Sequence, residues 1–144
     1  MVFELNYKSA KPVYLQLVDQ VKAAVASGAA RAGDALPSIR PLAEDLRVNR
    51  NTVAKAYAEL EHQGIITTLA GKGCFIADQP SPLRKDARLK LLTEHIDDAV
   101  IAALHLQVAR AEFIRLSGDR FDSFVKRRAR AREDAIHVET HTRD

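Results

Sequence analysis

Apolar side chains recur at three- and four-residue intervals in three successive stretches of the chain. Tyr14, Leu17, Val18, Val21 and Val25 make one stripe, the signature of a helix with a single buried face, and Gly28 ends it. Pro12 suits the first position of that helix, where its missing N–H costs nothing. Ile39, Leu42, Ala43 and Leu46 mark a second, shorter helix, with Ser38 placed to cap it and Pro41 in the first turn, where proline is tolerated. Val53, Ala56, Tyr57 and Leu60 lie at i, i+3, i+4 and i+7 of a third helix, capped by Asn49 and stopped by Gly64. Only "RVN" separates the second helix from the third, the connection length of a helix-turn-helix. The period then changes: "IITTL" and "CFIA" are β-branched and aromatic runs on either side of "AGKG", which predicts a two-stranded hairpin.

Three helices followed by a hairpin predict a fold that is mainly α with a small β-hairpin wing, a winged helix-turn-helix over residues 1–77. "DQPSP", residues 78–82, carries two prolines and reads as a linker. Beyond it Leu89, Leu92, Ile96, Ala99, Ala103 and Leu106 are spaced 3, 4, 3, 4 and 3, a heptad-like seam on a long helix that requires a partner. A shorter helix bearing Val108, Ala111, Phe113, Ile114 and Leu116 follows, with Gly118 ending the run. Residues 83–125 are thus expected to be a short helical dimerisation region. Residues 126–144 begin with "KRRARARED" and are expected to be a basic, frayed tail.

Composition narrows the class without naming it. At 144 residues there is room for one domain and an appendage, and a large catalytic fold is not expected. Net charge is +3, and it is unevenly placed: residues 1–77 hold 9 basic and 7 acidic side chains, 78–125 hold 7 and 8, and 126–144 hold 6 and 4. A polyanion would therefore meet the first or last block. Cys74 has no partner for an internal disulfide, the start has the features of no leader peptide, and no apolar run reaches membrane-spanning length; a cytoplasmic protein is expected.

The polar head of the third helix carries the chemistry. With Val53, Tyr57 and Leu60 turned inward, Asn51, Lys55, Ala58 and His62 fall on the opposite side, and Arg50 and Asn51 are free to project forwards from the N-terminus. Arginine can donate two bonds to guanine, asparagine can pair with adenine, and the small Ala54 and Ala58 permit close approach in a major groove. The hydroxyl of Thr52 and the unpaired helix N–H groups favour a phosphate. Arg40, one turn into the second helix and off its stripe, can clamp the DNA backbone or reach a base. Lys72, between Gly71 and Gly73, is a wing tip able to meet phosphate or the minor groove. Each residue has a plainer reading as cap or surface charge; their coincidence on three elements favours DNA.

"PVYLQLVDQVKAAVASG", "AGDALPSIRPLAEDLRVNRNTVAKAYAELEHQGII" and "GKGCFI" resemble the N-terminal domain of GntR-type bacterial transcription regulators, and the short helical C-terminal part resembles the YtrA branch. The resemblance implies a homodimer binding an inverted-repeat, palindromic operator, usually as a repressor. It carries the family's DNA contacts onto Arg40, Asn49, Arg50, Asn51, Thr52, Lys55, Gly71 and Lys72. Two positions depart from the pattern. Pro41 stands where many relatives have glutamate, which removes a capping-box partner for Ser38, and Arg50 stands where YtrA-like members often have proline.

The competing reading is a winged-helix interaction module that docks protein and binds DNA only through charge. An enzyme finds little support, with no phosphate loop and no nucleophile–base pair. His137 and His141 are one turn apart, but Val138 occupies the place of a zincin glutamate, so no metal or cofactor is expected. Cys74 reads as a small strand residue, and Lys126–Arg132 as a solvated run before a DNA arm. A small-molecule effector, if one acts, is expected at the dimer interface or between the domain and the helices.

Overall fold

The computed structural model describes residues 1–78 and 85–142. The chain divides into two compact units, Met1–Ser81 together with Arg127–Asp144, and Pro82–Lys126.

In the first unit the predicted stripes become one core. Helix α1 spans Val13–Ser27, α2 Ile39–Leu46 and α3 Arg50–His62. Leu17, Val18 and Val21 of α1, Leu42 and Ala43 of α2, and Val53, Ala56, Tyr57 and Leu60 of α3 are all buried, with Tyr14, Val25, Ile39 and Leu46 packed at the margin. Strands β1 (Ile66–Leu69) and β2 (Gly73–Ile76) pair antiparallel, Ile66 opposite Ile76 and Thr68 opposite Cys74, and Ile66 and Ile76 close the core from below α3. Each of the five fully buried large side chains, Leu17, Val21, Val53, Leu60 and Ile66, removes enough apolar surface from water to stabilise the unit by about 1.5–3 kcal/mol.

The helix ends follow local chemistry. Asn49 caps α3, its side chain accepting from the Asn51 N–H at 2.8 Å. At the other end Gly64 N–H donates to the Glu61 carbonyl and Ile65 N–H to the Leu60 carbonyl, the paired bonds that close a helix before a strand. Pro12 sits one residue earlier than expected, as the residue preceding α1, and its carbonyl accepts from Leu15 and Gln16. Ser38 occupies the cap position of α2 but makes no side-chain capping bond. The reason is Pro41, the third residue of α2, which removes the N–H that such a hydroxyl would accept as well as the glutamate that would reciprocate.

Two features extend the predicted wing. Strand β2 is held on both edges, because Ala35 bridges Phe75, Leu36 N–H donates to the Cys74 carbonyl at 2.9 Å, and Ile76 N–H donates to the Asp34 carbonyl at 2.8 Å. The extended N-terminal arm lies along α1, Phe3 buried, gripped by two glutamines one turn apart. Gln20 accepts from Glu4 N–H and donates to the Glu4 carbonyl; Gln16 does the same at Asn6, at 2.8 and 3.0 Å.

The C-terminal part corrects the sequence reading in two respects. Helix α4 spans Lys85–His105, so Leu106, the last residue of the seam, lies just past its end. Helix α5 spans Arg110–His141 and runs straight through Gly118, where a stop was expected, and through the basic run expected to fray from Lys126 onwards. A glycine inside a helix costs about 1 kcal/mol relative to alanine, which a helix of this length absorbs. The alanine, arginine and glutamate that follow are strong helix formers whose charge does not oppose the helix. Of the linker predicted at 78–82, all but Asp78 lies outside the described residues.

Candidate nucleic-acid interface

Every DNA-contact candidate belongs to the first unit, and the fold places them on three neighbouring elements. Asn49 precedes α3 and Arg50, Asn51 and Thr52 form its first turn; Arg50 and Asn51 are exposed and Thr52 half-buried. Val53, one residue on, is completely buried, so the first turn projects from the edge of the core. Asn49 spends its side-chain oxygen on the cap, which leaves its NH2 group available to a partner. Arg50 and the helix dipole favour an anion ahead of this end, while the Asn51 and Thr52 N–H groups are already taken by the side-chain oxygen and the carbonyl of Asn49.

Arg40 is exposed on the first turn of α2, and α2 packs against α3. Tyr57 makes that coupling directional. Its buried hydroxyl donates to the Pro37 carbonyl at 2.6 Å and ties the middle of α3 to the chain entering α2. Burial raises the phenol well above its ordinary range, with the charge of Cys74 a secondary cause, so the hydroxyl remains a donor throughout the neutral range. The sequence pattern registers Tyr57 only as an apolar position; its polar end is legible only once Pro37 is placed beside it.

Gly71 and Lys72 form the turn between β1 and β2, both exposed. Gly71 has φ +73°, and Lys72 N–H closes the turn on the Leu69 carbonyl at 3.0 Å. Arg40, Arg50 and Lys72 form no ion pair among the described residues. Lys55 differs, since its ammonium lies 4.1 Å from the centre of the Tyr14 ring, held over the face of α1 by a cation–π contact.

The turn between α2 and α3 holds a residue the sequence did not single out. Arg47 ends α2 at φ +55°, a left-handed conformation that glycine adopts most easily, and its N–H reaches back to α2 carbonyls. Tyr7 of the arm donates to the Leu46 carbonyl beside it.

The geometry coincides with what comparison with known proteins finds. Residues 13–76, from the start of α1 to the end of β2, match the family described as "Bacterial regulatory proteins, gntR family". The chain is 35% identical over 102 residues to the HTH-type transcriptional repressor YtrA of Bacillus subtilis, an alignment spanning 71% of this chain and 78% of the relative. Among solved structures, a transcriptional antiterminator from Listeria monocytogenes superposes with a TM-score of 0.75 at 34% identity, covering 87% of this chain and 93% of that one. YtrA from Sulfolobus acidocaldarius, a GntR-family transcription factor, does so with a TM-score of 0.54 at 28% identity, over 83% and 97%. The chain belongs to the GntR family of bacterial transcription regulators, in its YtrA-like branch, and its winged helix-turn-helix is a DNA-binding domain.

Proposed function

We propose that the protein is a repressor that binds a palindromic operator as a homodimer, the first turn of α3 reading the major groove through Arg50 and Asn51. Asn49, Thr52 and Arg40 hold the backbone, Gly71 and Lys72 bring the wing tip to phosphate, and Lys55 swings from Tyr14 to a phosphate on binding. The observation that carries the reading is the polar first turn of α3, with Arg50 and Asn51 exposed and their side chains in no ion pair among the described residues, standing on a fully buried Val53. Dimerisation is supported by the second unit, where Leu89, Leu92 and Ile96 of the seam are about half exposed, Ala99 is exposed, Ala103 is half-buried and Leu106 is 75% exposed. Apolar side chains in such a series are expected to meet a second copy.

Fluorescence anisotropy on DNA from upstream of the protein's own gene, against a scrambled duplex at physiological salt, tests the reading. A preference of about a thousandfold is expected. Arg50→Ala should cost about 1–3 kcal/mol on the operator and relax one base pair, whereas Lys72→Ala should weaken both duplexes alike and flatten the salt dependence. Equal binding of the wild type to operator and scrambled DNA would favour the interaction-module reading instead.

A further inference from the structure

A cavity of about 410 Å³ opens within the first unit, between the C-terminal end of α1, the end of β2 and the stretch of α5 around Arg128 to Arg132. Three arginines line it, Arg31, Arg128 and Arg132, over an apolar floor that includes Val25, Ile76 and Ala131. No carboxylate lines it. Its walls come from segments about a hundred residues apart, held closely together. A Cβ built on Gly28, which has φ +79°, would lie 2.9 Å from the Cβ of Ala131 and 3.1 Å from the Cα of Arg128.

Packing explains only part of this cluster. Arg128 Nε donates to the Ala26 carbonyl at 3.1 Å, satisfying one of the last carbonyls of α1 and fixing that guanidinium at the rim. Asp34 is the nearest acid in sequence to Arg31, and its carboxylate accepts from the Arg31 backbone N–H. Among the described residues neither Arg31 nor Arg132 forms an ion pair. Three like charges around one hollow repel each other unless an anion sits between them. Guanidinium forks fit planar carboxylates and phosphates, and an apolar floor adds affinity for whatever hydrocarbon the anion carries. The volume is that of a small-molecule site.

We propose that this cavity binds a small organic anion, a carboxylate or phosphate monoester bearing a short apolar group, with Arg31 and Arg132 pairing its head and Val25 and Ile76 receiving its body. Binding fastens this stretch of α5 to β2 of the wing. The site rests on the geometry of this unit alone, and binding is read on the protein without DNA.

The test is a titration of the full-length chain followed by backbone amide NMR at constant ionic strength, with phenyl phosphate, benzoate, inorganic phosphate and benzyl alcohol as probes. Phenyl phosphate or benzoate should give saturable shifts centred on residues 25–32 and 76–77, the tighter of the two identifying the head group. Inorganic phosphate and benzyl alcohol should bind at least about tenfold more weakly, and Arg31→Gln and Arg132→Gln should each cost about tenfold. Arg31→Lys, which keeps the charge and loses the fork, should also weaken binding. Shifts spread along the whole basic surface, inorganic phosphate binding as tightly as phenyl phosphate, or indifference to both glutamine substitutions would overturn the site. So would a loss of affinity for random duplex DNA in Arg132→Gln with phenyl phosphate binding unchanged, which would assign these arginines to the DNA backbone.

Discussion

Tyr57 combines two jobs that are separable by titration. Its ring fills the core and its hydroxyl holds Pro37, and burial keeps that hydroxyl protonated in the folded state well above pH 10. In the unfolded chain the phenol ionises near pH 10, so the unfolded state releases this proton first and the native state loses stability as pH rises past that point. Chemical denaturation between pH 9 and 11 should show stability falling by up to about 1.4 kcal/mol per pH unit from this group, and Tyr57→Phe should remove that component. The same substitution should cost about 1 kcal/mol at pH 7, because the Pro37 carbonyl loses its donor. Arg47 offers a second check at this scale. Left-handed backbone costs a non-glycine residue about 1–2 kcal/mol, and glycine returns roughly 0.5–1 of that in chain entropy, so Arg47→Gly should be neutral to slightly stabilising in a thermal melt.

The two helices of the helix-turn-helix begin differently, and the difference predicts different mutational costs. Asn49→Ala should destabilise the domain by about 1 kcal/mol, since the Asn51 N–H loses its acceptor, whereas Ser38→Ala should change the melt by no more than a few tenths. Asn49 was legible because asparagine before a periodic apolar run has one dominant use; Ser38 was not, because Pro41 removes the donor three residues on. The three apolar stripes were legible for a related reason: a face that repeats at 3.6 residues can be buried in only one way. The length of α5 escaped the same reasoning. Gly118 reads as a stop and "RRARARED" as a solvated tail when glycine and charge are weighed alone, while the helix propensity of alanine, arginine and glutamate points the other way and prevails.

Across the whole molecule, what the sequence left hidden are features made by distant segments. Arg128 reads from the sequence as part of a basic tail and Arg31 draws no reading at all, and only the approach of α5 to Gly28 brings both to one cavity. The head of α3, by contrast, is contiguous, and so its polar residues could be named from the sequence. The proposed dimer makes a prediction of its own. Ile96→Glu, at the middle of the exposed α4 seam, should leave the helical circular dichroism intact, halve the mass seen in sedimentation and weaken binding to a two-half-site duplex far more than to a single half-site.

The arm along α1 has a consequence for how the domain breathes. Gln16 and Gln20 each offer a donor and an acceptor side by side, and each takes both backbone groups of one arm residue as a neighbouring strand would, without a strand being present. An amide can present that same pair of groups to adenine, so the chain applies to its own backbone the chemistry proposed for Asn51 on DNA. The N–H protons of Glu4 and Asn6 are consequently guarded by two side chains and nothing more. Their exchange with deuterium should report each detachment of the arm, long before the helices beneath it open.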